Sequence, residues 1–191
     1  MKILTGQWRG RLIPFRPSPH LRPTPDKVRK AVIETLGEKV LGAVVLDVFS
    51  GTGALGFEAL SAGAKEAVFV EKNNFQCASL RRFAAELGAA QQVRVLCAEA
   101  SKAVPRLGKS GARFDLVFAD PPYERGLAAE LLIALSAPDA PLAPGAWTVI
   151  ETYRSEELPE KAGRLSQKRL AVYGDTAIRY YLFEKEATHL I

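Results

Sequence analysis

Short apolar runs alternate with longer segments of helical periodicity through the middle of the chain. The runs have the length and β-branched content of buried strands, and the periodic segments are typical of amphipathic helices. The predicted strands are Val44–Phe49, Ala67–Glu71, Gln92–Cys97, Phe114–Ala119 and Trp147–Thr152. The predicted helices between them are Ala54–Ala62, Asn74–Leu87, residues 101–107 and Leu127–Leu135. Strands that alternate with helices in this way form a parallel sheet with helices on both faces.

The C-terminal part departs from this alternation. Leu165–Tyr173 and Ala177–Glu184 are β-rich and are joined by Gly174-Asp175-Thr176. A connection this short makes the two strands an antiparallel pair. A chain of 191 residues is expected to build one core. The sequence therefore predicts an α/β fold in which five parallel strands are followed by a hairpin.

A further helix is predicted before the first strand, over about residues 24–39. Apolar residues recur there every four positions and form one stripe: Val28, Val32, Leu36 and Val40. Thr24 is a candidate N-cap, Pro25 suits the first turn, and Asp26 complements the positive end of the helix.

Basic residues are concentrated at the start of the chain. Residues 1–30 hold eight Lys or Arg and one acid, whereas the other 161 residues hold 18 basic and 20 acidic groups. This favours a polyanionic partner, nucleic acid first, with a solvated tail as the alternative. Arginines interleaved with Trp8 and Phe15 suit phosphate contact and base stacking, although the rings could equally pin the segment to the body. We expect residues 1–23 to form a basic arm or hairpin and residues 24–191 to form the α/β domain.

A glycine-rich loop joins the first predicted strand to its helix. Gly51, Gly53 and Gly56 have the GxGxxG spacing that lets a backbone approach an adenosine-type ligand beside a helix N-terminus. Glu71, 20 residues after Gly51, is placed to accept hydrogen bonds from a ribose diol. These features suit NAD and S-adenosylmethionine equally.

Asp47 favours S-adenosylmethionine over NAD. Its negative charge beside the loop would be awkward for a pyrophosphate but suits a ligand that carries an ammonium and a sulfonium. The alternative is a strand-end carboxylate that caps nearby backbone N–H groups. Glu99, after the third strand, could accept from an adenine amino group or cap the next helix.

The fourth predicted strand ends abruptly at Asp120-Pro121-Pro122-Tyr123. Two prolines hold this loop extended and rigid. The carboxyl edge of an open α/β sheet is where ligands bind. The pattern indicates a clamp for a planar amine, with a carboxylate acceptor and a flat ring.

The sequence also argues against several other classes of protein. No apolar run is long enough to span a membrane, and no secretory signal is evident. Cys77 and Cys97 lack CxxC spacing, and the two histidines form no cluster, so neither a structural metal nor a disulfide framework is expected. A cytoplasmic monomer is the expectation.

These residues resemble the class I S-adenosylmethionine-dependent methyltransferases. More narrowly, the chain resembles the RsmD-type family, which methylates the exocyclic N2 amine of a guanine in small-subunit (16S) ribosomal RNA. The matching stretches are Gly6–Arg11, Leu21–Arg29, Leu46–Leu60, Asp120–Tyr123 and Tyr173–Tyr181. The resemblance implies a Rossmann-like, mostly parallel seven-stranded sheet with its last strand antiparallel. Lys72-Asn73 after Glu71, and Glu99 itself, depart from the usual family residues.

The resemblance also implies roles for individual residues. Asp120 and the Pro121 carbonyl would accept from the guanine amine, and Tyr123 would stack on the base, with Pro122 stiffening the loop. The residues expected to hold S-adenosylmethionine are Asp47, Phe49, Ser50, Gly51, Gly53, Ala54, Glu71, Lys72, Glu99, Ala100 and Asp120. The residues expected to contact RNA are Arg9, Arg11, Arg22, Arg29 and Arg125.

Three alternatives stay open at this point. The Asp-Pro-Pro-Tyr loop also suits a DNA adenine-N6 or cytosine-N4 methyltransferase, although no separate DNA-reading domain is evident. A non-catalytic RNA-binding assembly factor could use the same scaffold, and the glycine loop alone would suit a nicotinamide oxidoreductase. Either 16S ribosomal RNA or an assembling small subunit is the expected partner.

Overall fold

The computed structural model describes residues 1–14, 24–122 and 126–184. The helices are α1 (Asp26–Leu36), α2 (Ala54–Ser61), α3 (Asn74–Glu86), α4 (Ala100–Lys109) and α5 (Leu127–Ser136). The strands are β1 (Val44–Val48), β2 (Glu66–Glu71), β3 (Val93–Cys97), β4 (Phe114–Ala119), β5 (Leu142–Tyr153), β6 (Lys161–Ala162), β7 (Leu165–Tyr173) and β8 (Thr176–Phe183). Two short 3₁₀ turns cover Gly37–Val40 and Ala90–Gln92. In this part of the chain no helix combines the length and apolarity that crossing a bilayer requires.

All eight strands belong to one sheet in the order β3-β2-β1-β4-β5-β8-β7-β6. The first five are parallel, and β8 runs antiparallel between β5 and β7. The predicted parallel sheet with a C-terminal hairpin is confirmed. The two-residue β6 adds an eighth strand at the edge, and it is too short to leave a periodic signal in the sequence.

The strand order reverses beside β1, which pairs with β2 on one side and β4 on the other. The chain enters the sheet at its centre and then builds outward in both directions. Such a switch point opens a crevice at the carboxyl edge of the sheet. The glycine loop after β1 and the proline loop after β4 therefore lie on either side of one crevice.

Two apolar cores cover the two faces of the sheet. One contains side chains of α1, α2 and α3, and the other contains side chains of α4 and α5. The predicted stripe of α1 is confirmed, since its four apolar residues all lie in the first core. The predicted arrangement of helices on both faces of the sheet is confirmed.

Several element boundaries differ from the prediction, and the helix predicted over residues 24–39 is shorter, because a 3₁₀ turn over Gly37–Val40 follows α1. Strand β5 begins at Leu142, five residues earlier than predicted, because Pro144-Gly145 interrupts the apolar pattern of its first residues. A register shift between Phe114 and Leu116 accommodates this irregular start. Thr24 does not cap α1, because the N-cap position is Pro25 and no side chain bonds to the helix N-terminus.

Residues 1–14 form a small hairpin closed by a bridge between Lys2 and Leu12. The Glu58 carboxylate of α2 accepts hydrogen bonds from the backbone N–H groups of Leu4 and Thr5. Trp8 is half-buried against the first core, so this ring pins the hairpin to the body.

The two cysteines lie together, although their spacing along the chain did not predict a pair. Cys77 on α3 is buried, Cys97 at the end of β3 is exposed, and their Sγ atoms lie 2.6 Å apart. Burial, with a hydrogen bond to Cys97, raises the pKa of the Cys77 thiol to about 12. Both are free thiols.

Candidate active site

Three acidic side chains project from the carboxyl ends of neighbouring strands on the same face of the sheet. Asp47 of β1 pairs in register with Phe118, and Ala119 at the end of β4 pairs with Ile150 of β5. Because side chains alternate between faces, Asp47, Asp120 and Glu151 all lie on the α1 side. Asp47 and Glu151 are buried, and Asp120 is half-buried at the edge.

Asp120 lies where the sequence predicted it, directly after β4 at the switch point. Its pKa is raised well above the usual range, because the carboxyl group is desolvated and faces the negative charges of Glu151 and Asp47. The Thr24 hydroxyl lies 3.4 Å from its Oδ2. Of the two prolines that follow, Pro121 is buried and Pro122 is exposed. Tyr123, the predicted stacking ring, lies outside the described residues.

Asp47 does not present a free negative charge to the loop. Its Oδ2 accepts a hydrogen bond from the backbone N–H of Gly56 at 3.0 Å. Burial raises its pKa to about 8, although the hydrogen bond from Gly56 lowers it. That Asp47 complements an ammonium or a sulfonium stays a prediction. The alternative weighed from the sequence, a carboxyl group that satisfies a backbone N–H, describes what is present.

The glycine loop is tightly constrained by its own hydrogen bonds. Phe49 has a φ of 60°, in the left-handed region that non-glycine residues rarely adopt. The Ser50 hydroxyl is placed to donate to the carbonyl of Asp47 at 2.6 Å or that of Val70 at 3.1 Å. Ala54 is the first residue of α2. The loop is thus preformed, with its strained residue at the crevice.

Two of the glycines serve packing. A Cβ on Gly53 would lie 2.5 Å from Leu80 Cδ2, and a Cβ on Gly56 would lie 2.4 Å from Phe69 Cε1. Gly53 also has a φ of 75°. Both therefore allow α2 to approach the sheet closely, which places the helix N-terminus beside the crevice.

Glu71 links the end of β2 to the glycine loop. One carboxylate oxygen accepts from the Gly51 N–H at 2.9 Å, and the other accepts from the Asn73 N–H at 2.8 Å. Lys72 between them is exposed. This carboxylate lies at the crevice, within reach of a ligand that the loop would hold.

Glu99 lies at the start of α4 and is exposed, and Ala100 is the first residue of the helix. Its carboxylate pairs with Lys102 at 2.9 Å, and this hydrogen bond and charge lower the pKa of Glu99. It makes no side-chain cap, so the capping alternative is not observed. This ion pair directs the Glu99 side chain along α4 toward Lys102.

The predicted RNA contacts divide into three groups. Arg9 and Arg11 are exposed on the N-terminal hairpin, and Arg11 donates to the carbonyl of Glu86 at 3.3 Å. Arg22 and Arg125 lie outside the described residues. The prediction for Arg29 is wrong, because its side chain is 1% exposed.

Arg29 instead joins the hairpin to α1 and α2. Its guanidinium donates to the backbone carbonyls of Thr24 and Lys2, at 3.1 and 2.8 Å. It also pairs with Asp26 at 3.0 Å and lies 3.6 Å from the buried Glu58 carboxylate. Arg29 lies one turn into an amphipathic helix. No feature of the sequence distinguished this buried role from contact with RNA at the surface.

Sequence reasoning missed two residues of the site, Thr24 and Glu151. The Thr24 Oγ lies 2.9 Å from Glu151 Oε2 as well as within reach of Asp120. An acid inside the apolar run Trp147–Thr152 was a usable signal, because a buried carboxylate needs partners. Nothing in the sequence indicated that Thr24, over 100 residues away from Glu151, would supply one.

Comparison with known proteins agrees with this architecture. Residues 1–182 match the model of a family described as conserved hypothetical protein 95. The chain is 37% identical over 187 residues to the ribosomal RNA small subunit methyltransferase D of Escherichia coli strain K12, covering 98% of this chain and 91% of that protein. The structure of yhhF from Escherichia coli has a TM-score of 0.84 and 35% identity, covering 96% of this chain and 98% of that one.

A more distant structure shows the fold alone. It is an RNA methyltransferase from Salinibacter ruber in complex with S-adenosyl-L-homocysteine, with a TM-score of 0.66, 19% identity, and coverage of 88% of this chain and 97% of that one. The sheet order, the crevice and these neighbours define a Rossmann-like class I methyltransferase fold. Within that class, the chain belongs to the conserved hypothetical protein 95 family, the RsmD family, as its motifs predicted.

Proposed function

We propose that this protein transfers a methyl group from S-adenosylmethionine to the exocyclic N2 amine of a guanine in small-subunit ribosomal RNA. The observation that carries the proposal is the position of Asp120. It places a carboxylate at the carboxyl end of β4, across the switch point from the glycine loop. The family membership and the name of the Escherichia coli relative support RNA as the substrate.

The loop residues fit S-adenosylmethionine. The Glu71 carboxylate already binds the Gly51 N–H and lies where a ribose diol would be received. Phe49, Ser50, Gly51, Gly53 and Ala54 would line one side, with Lys72, Glu99 and Ala100 toward the adenine. When bound, this cofactor supplies an electrophilic methyl group on a sulfonium.

The protein's own contribution is orientation and electrostatics. The guanine amine is a poor nucleophile because its lone pair is delocalised into the ring. Asp120 and the Pro121 carbonyl would each accept one N–H and favour a pyramidal nitrogen as the new bond forms. Holding the amine in line accounts for most of the acceleration, and no covalent enzyme intermediate is required. As the new C–N bond forms, the amine loses one proton, which passes to the Asp120 carboxylate or to water.

The base must be unpaired or flipped out to reach the crevice. Arg9 and Arg11 on the exposed hairpin, together with Arg22 and Arg125, would contact the phosphates around it. A chain of this size has little surface for reading sequence, so the substrate is either naked 16S RNA or an assembling subunit. We propose that residues 1–23 serve as the RNA-contacting arm of a monomer.

The test is methyl transfer from labelled S-adenosylmethionine to small-subunit RNA from cells that lack the gene, with naked RNA, subunit particles and duplex DNA compared. Mapping the product should place one methyl on the N2 of one guanine. Asp120→Ala should abolish most turnover while calorimetry shows nearly unchanged cofactor binding. Transfer to DNA alone, or no cofactor binding by the wild type, would overturn the proposal.

A further inference from the structure

The two cysteines of the chain meet beside the turn that carries Glu71. Cys97 at the end of β3 pairs in register with Glu71 of β2, and the Cys77 Sγ lies 3.2 Å from the Glu71 carbonyl oxygen. The two Sγ atoms are 2.6 Å apart. A disulfide bond is about 2.0 Å long, so side-chain movements of about half an ångström would join the two sulfurs. Because the sequence contains two cysteines in all, each is the other's only partner within the chain.

The two thiols differ in their access to solvent. Cys97 is exposed, whereas Cys77 is 0% exposed. Burial, the hydrogen bond to Cys97 and the charges of Cys97 and Glu71 raise the pKa of Cys77 to about 12, against a smaller lowering by Arg81. Cysteine oxidation follows exposure and thiolate character, so an oxidant in solution meets Cys97 first. Cys77 takes part only through Cys97.

The polar groups around the sulfurs tolerate the loss of both thiol hydrogens. The Cys97 thiol is placed to donate to Oδ1 of Asn74 at 3.0 Å, and Asn74 is exposed, so water can replace that donor. The Cys77 thiol is placed to donate to the Glu71 carbonyl or to the Cys97 Sγ. The Glu71 carbonyl also accepts from the Ala98 N–H at 3.0 Å, so it stays satisfied without the thiol. A disulfide therefore leaves no buried backbone group here without a partner.

We propose that Cys97 and Cys77 form a thiol pair that reacts with hydroperoxides and stops the oxidation of Cys97 at a reversible disulfide. In the first step the Cys97 sulfur attacks the peroxide. An S–O bond forms, the O–O bond breaks, and the peroxide leaves as water or an alcohol after taking up the Cys97 thiol proton. In the second step the Cys77 sulfur attacks the Cys97 sulfenic acid. The S–S bond forms, the S–O bond breaks, and the hydroxyl group leaves with the Cys77 proton as water.

The electrons balance without a further reagent. The two sulfurs together lose two electrons, and the peroxide gains them. Returning the disulfide to two thiols requires a dithiol reductant, which is itself oxidised to a disulfide.

The bond leaves the cofactor-facing side of the turn in place. The Glu71 carboxylate accepts from the N–H groups of Gly51 and Asn73, and neither hydrogen bond involves a sulfur. Without Cys77, Cys97 passes to sulfinic and sulfonic acids, which are irreversible and put a permanent negative charge at the position in register with Glu71. The thiol pair thus preserves this edge of the crevice under oxidising conditions.

The test is treatment of the purified full chain with hydrogen peroxide, followed by mass spectrometry. The wild type should lose about 2 Da and yield a peptide that links Cys77 to Cys97, and dithiothreitol should restore the original mass. A gain of about 32 or 48 Da on Cys97 in place of the link would overturn the proposal, and so would a disulfide between two chains.

Cys77→Ser and Cys97→Ser form the matched pair, with thermal unfolding confirming that both are folded. Cys77→Ser should be oxidised at Cys97 as fast as the wild type, but should end in acids that dithiothreitol does not reduce. Cys77→Ala, which places no polar group at the buried site, should behave in the same way. Cys97→Ser should react at least about tenfold more slowly, because its remaining thiol is buried and protonated. Equal rates for Cys77→Ser and Cys97→Ser would show that Cys97 is not the site of attack.

A binding measurement tests whether the turn stays in place. Calorimetry should give the same affinity for S-adenosylmethionine with reduced and with disulfide-bonded wild type, because the bond leaves Glu71 where it is. A loss of affinity that dithiothreitol reverses would show that the turn moves, against the inference. None of these measurements uses RNA, so absence of RNA methylation by the wild type would refute the proposed function alone.

Discussion

The guanidinium of Arg29 lies 3.6 Å from the carboxylate of Glu58, and neither side chain is exposed by more than 1%. Arg29 reaches the backbone of the N-terminal hairpin, and Glu58 accepts hydrogen bonds from two of its N–H groups. The pair thus attaches the hairpin that carries Arg9 and Arg11 to the body of the protein.

Replacing Arg29 by Met should destabilise the fold by about 3–5 kcal/mol, because it leaves the Glu58 carboxylate buried without its positive partner. Urea unfolding measures this cost. Adding Glu58→Gln to Arg29→Met should recover part of the loss, since the unpaired charge is removed. If Arg29→Met leaves stability unchanged but weakens RNA binding, the surface role inferred from sequence would be reinstated.

Arg9 and Arg11 should behave differently, because both are exposed. Replacing both by Gln should reduce the slope of log binding constant against log salt by roughly 1.4–1.8, the release of about two counterions. Fluorescence titration with an RNA fragment at several salt concentrations measures the slope. Arg113→Gln is the control, an exposed arginine directly before the amino end of the central strand β4, and an equal change there would indicate only a general charge effect.

Asp47 should make stability depend on pH. Its pKa rises from about 3.8 in the unfolded chain to about 8 in the fold, so the folded state holds the proton more tightly. The stability that this difference in proton binding gives to the fold is fully present below the unfolded pKa. It is lost as the pH rises through 8, by up to about 1.4 kcal/mol per pH unit. Asp47→Asn should therefore match the wild type near pH 4 and exceed its stability at pH 8. Parallel curves for the two proteins would contradict the assignment.

Replacing Gly53 by alanine should cost more stability than the same change at an ordinary turn glycine. Gly53 and Gly88 have nearly equal φ angles, 75° and 71°, but a Cβ on Gly88 would meet nothing within 4 Å. Gly88→Ala should cost only the backbone strain, about 1–2 kcal/mol, and Gly53→Ala about 1–3 kcal/mol more from overpacking against Leu80. Urea midpoints compare the two, and equal costs would show that the close approach of α2 is not needed.

Glu71 and Glu99 should contribute unequally to cofactor binding. Glu71 is fixed at the crevice by two backbone N–H groups, whereas Glu99 is exposed and paired with Lys102. Glu71→Gln should weaken S-adenosylmethionine binding by about tenfold or more, and Glu99→Gln by about threefold or less, as measured by calorimetry. If Glu99→Gln weakened binding more than Glu71→Gln did, the main polar contact with the cofactor would lie on the adenine side.

Much of the fold followed from local pattern. Each strand of the parallel sheet had its own apolar run, and each helix its own periodicity, so their order along the chain specified the architecture. The glycine spacing and the Asp-Pro-Pro-Tyr loop likewise marked the ends of β1 and β4. These features are contiguous in sequence, and one short window contains all the information about each.

Which polar groups face one another could not be read from local sequence, because it depends on packing between distant segments. The alternation of side chains puts Asp47, Asp120 and Glu151 on one face, but only the strand order makes them neighbours. The chain before α1 then brings Thr24 between two of them, and folding of the hairpin buries Arg29, which looked like a surface residue. Charge, burial and hydrogen bonding depend on contacts between distant segments. Local sequence therefore specified the scaffold and the loops that border the candidate site, and packing between distant segments set the burial and hydrogen bonding of the groups within it.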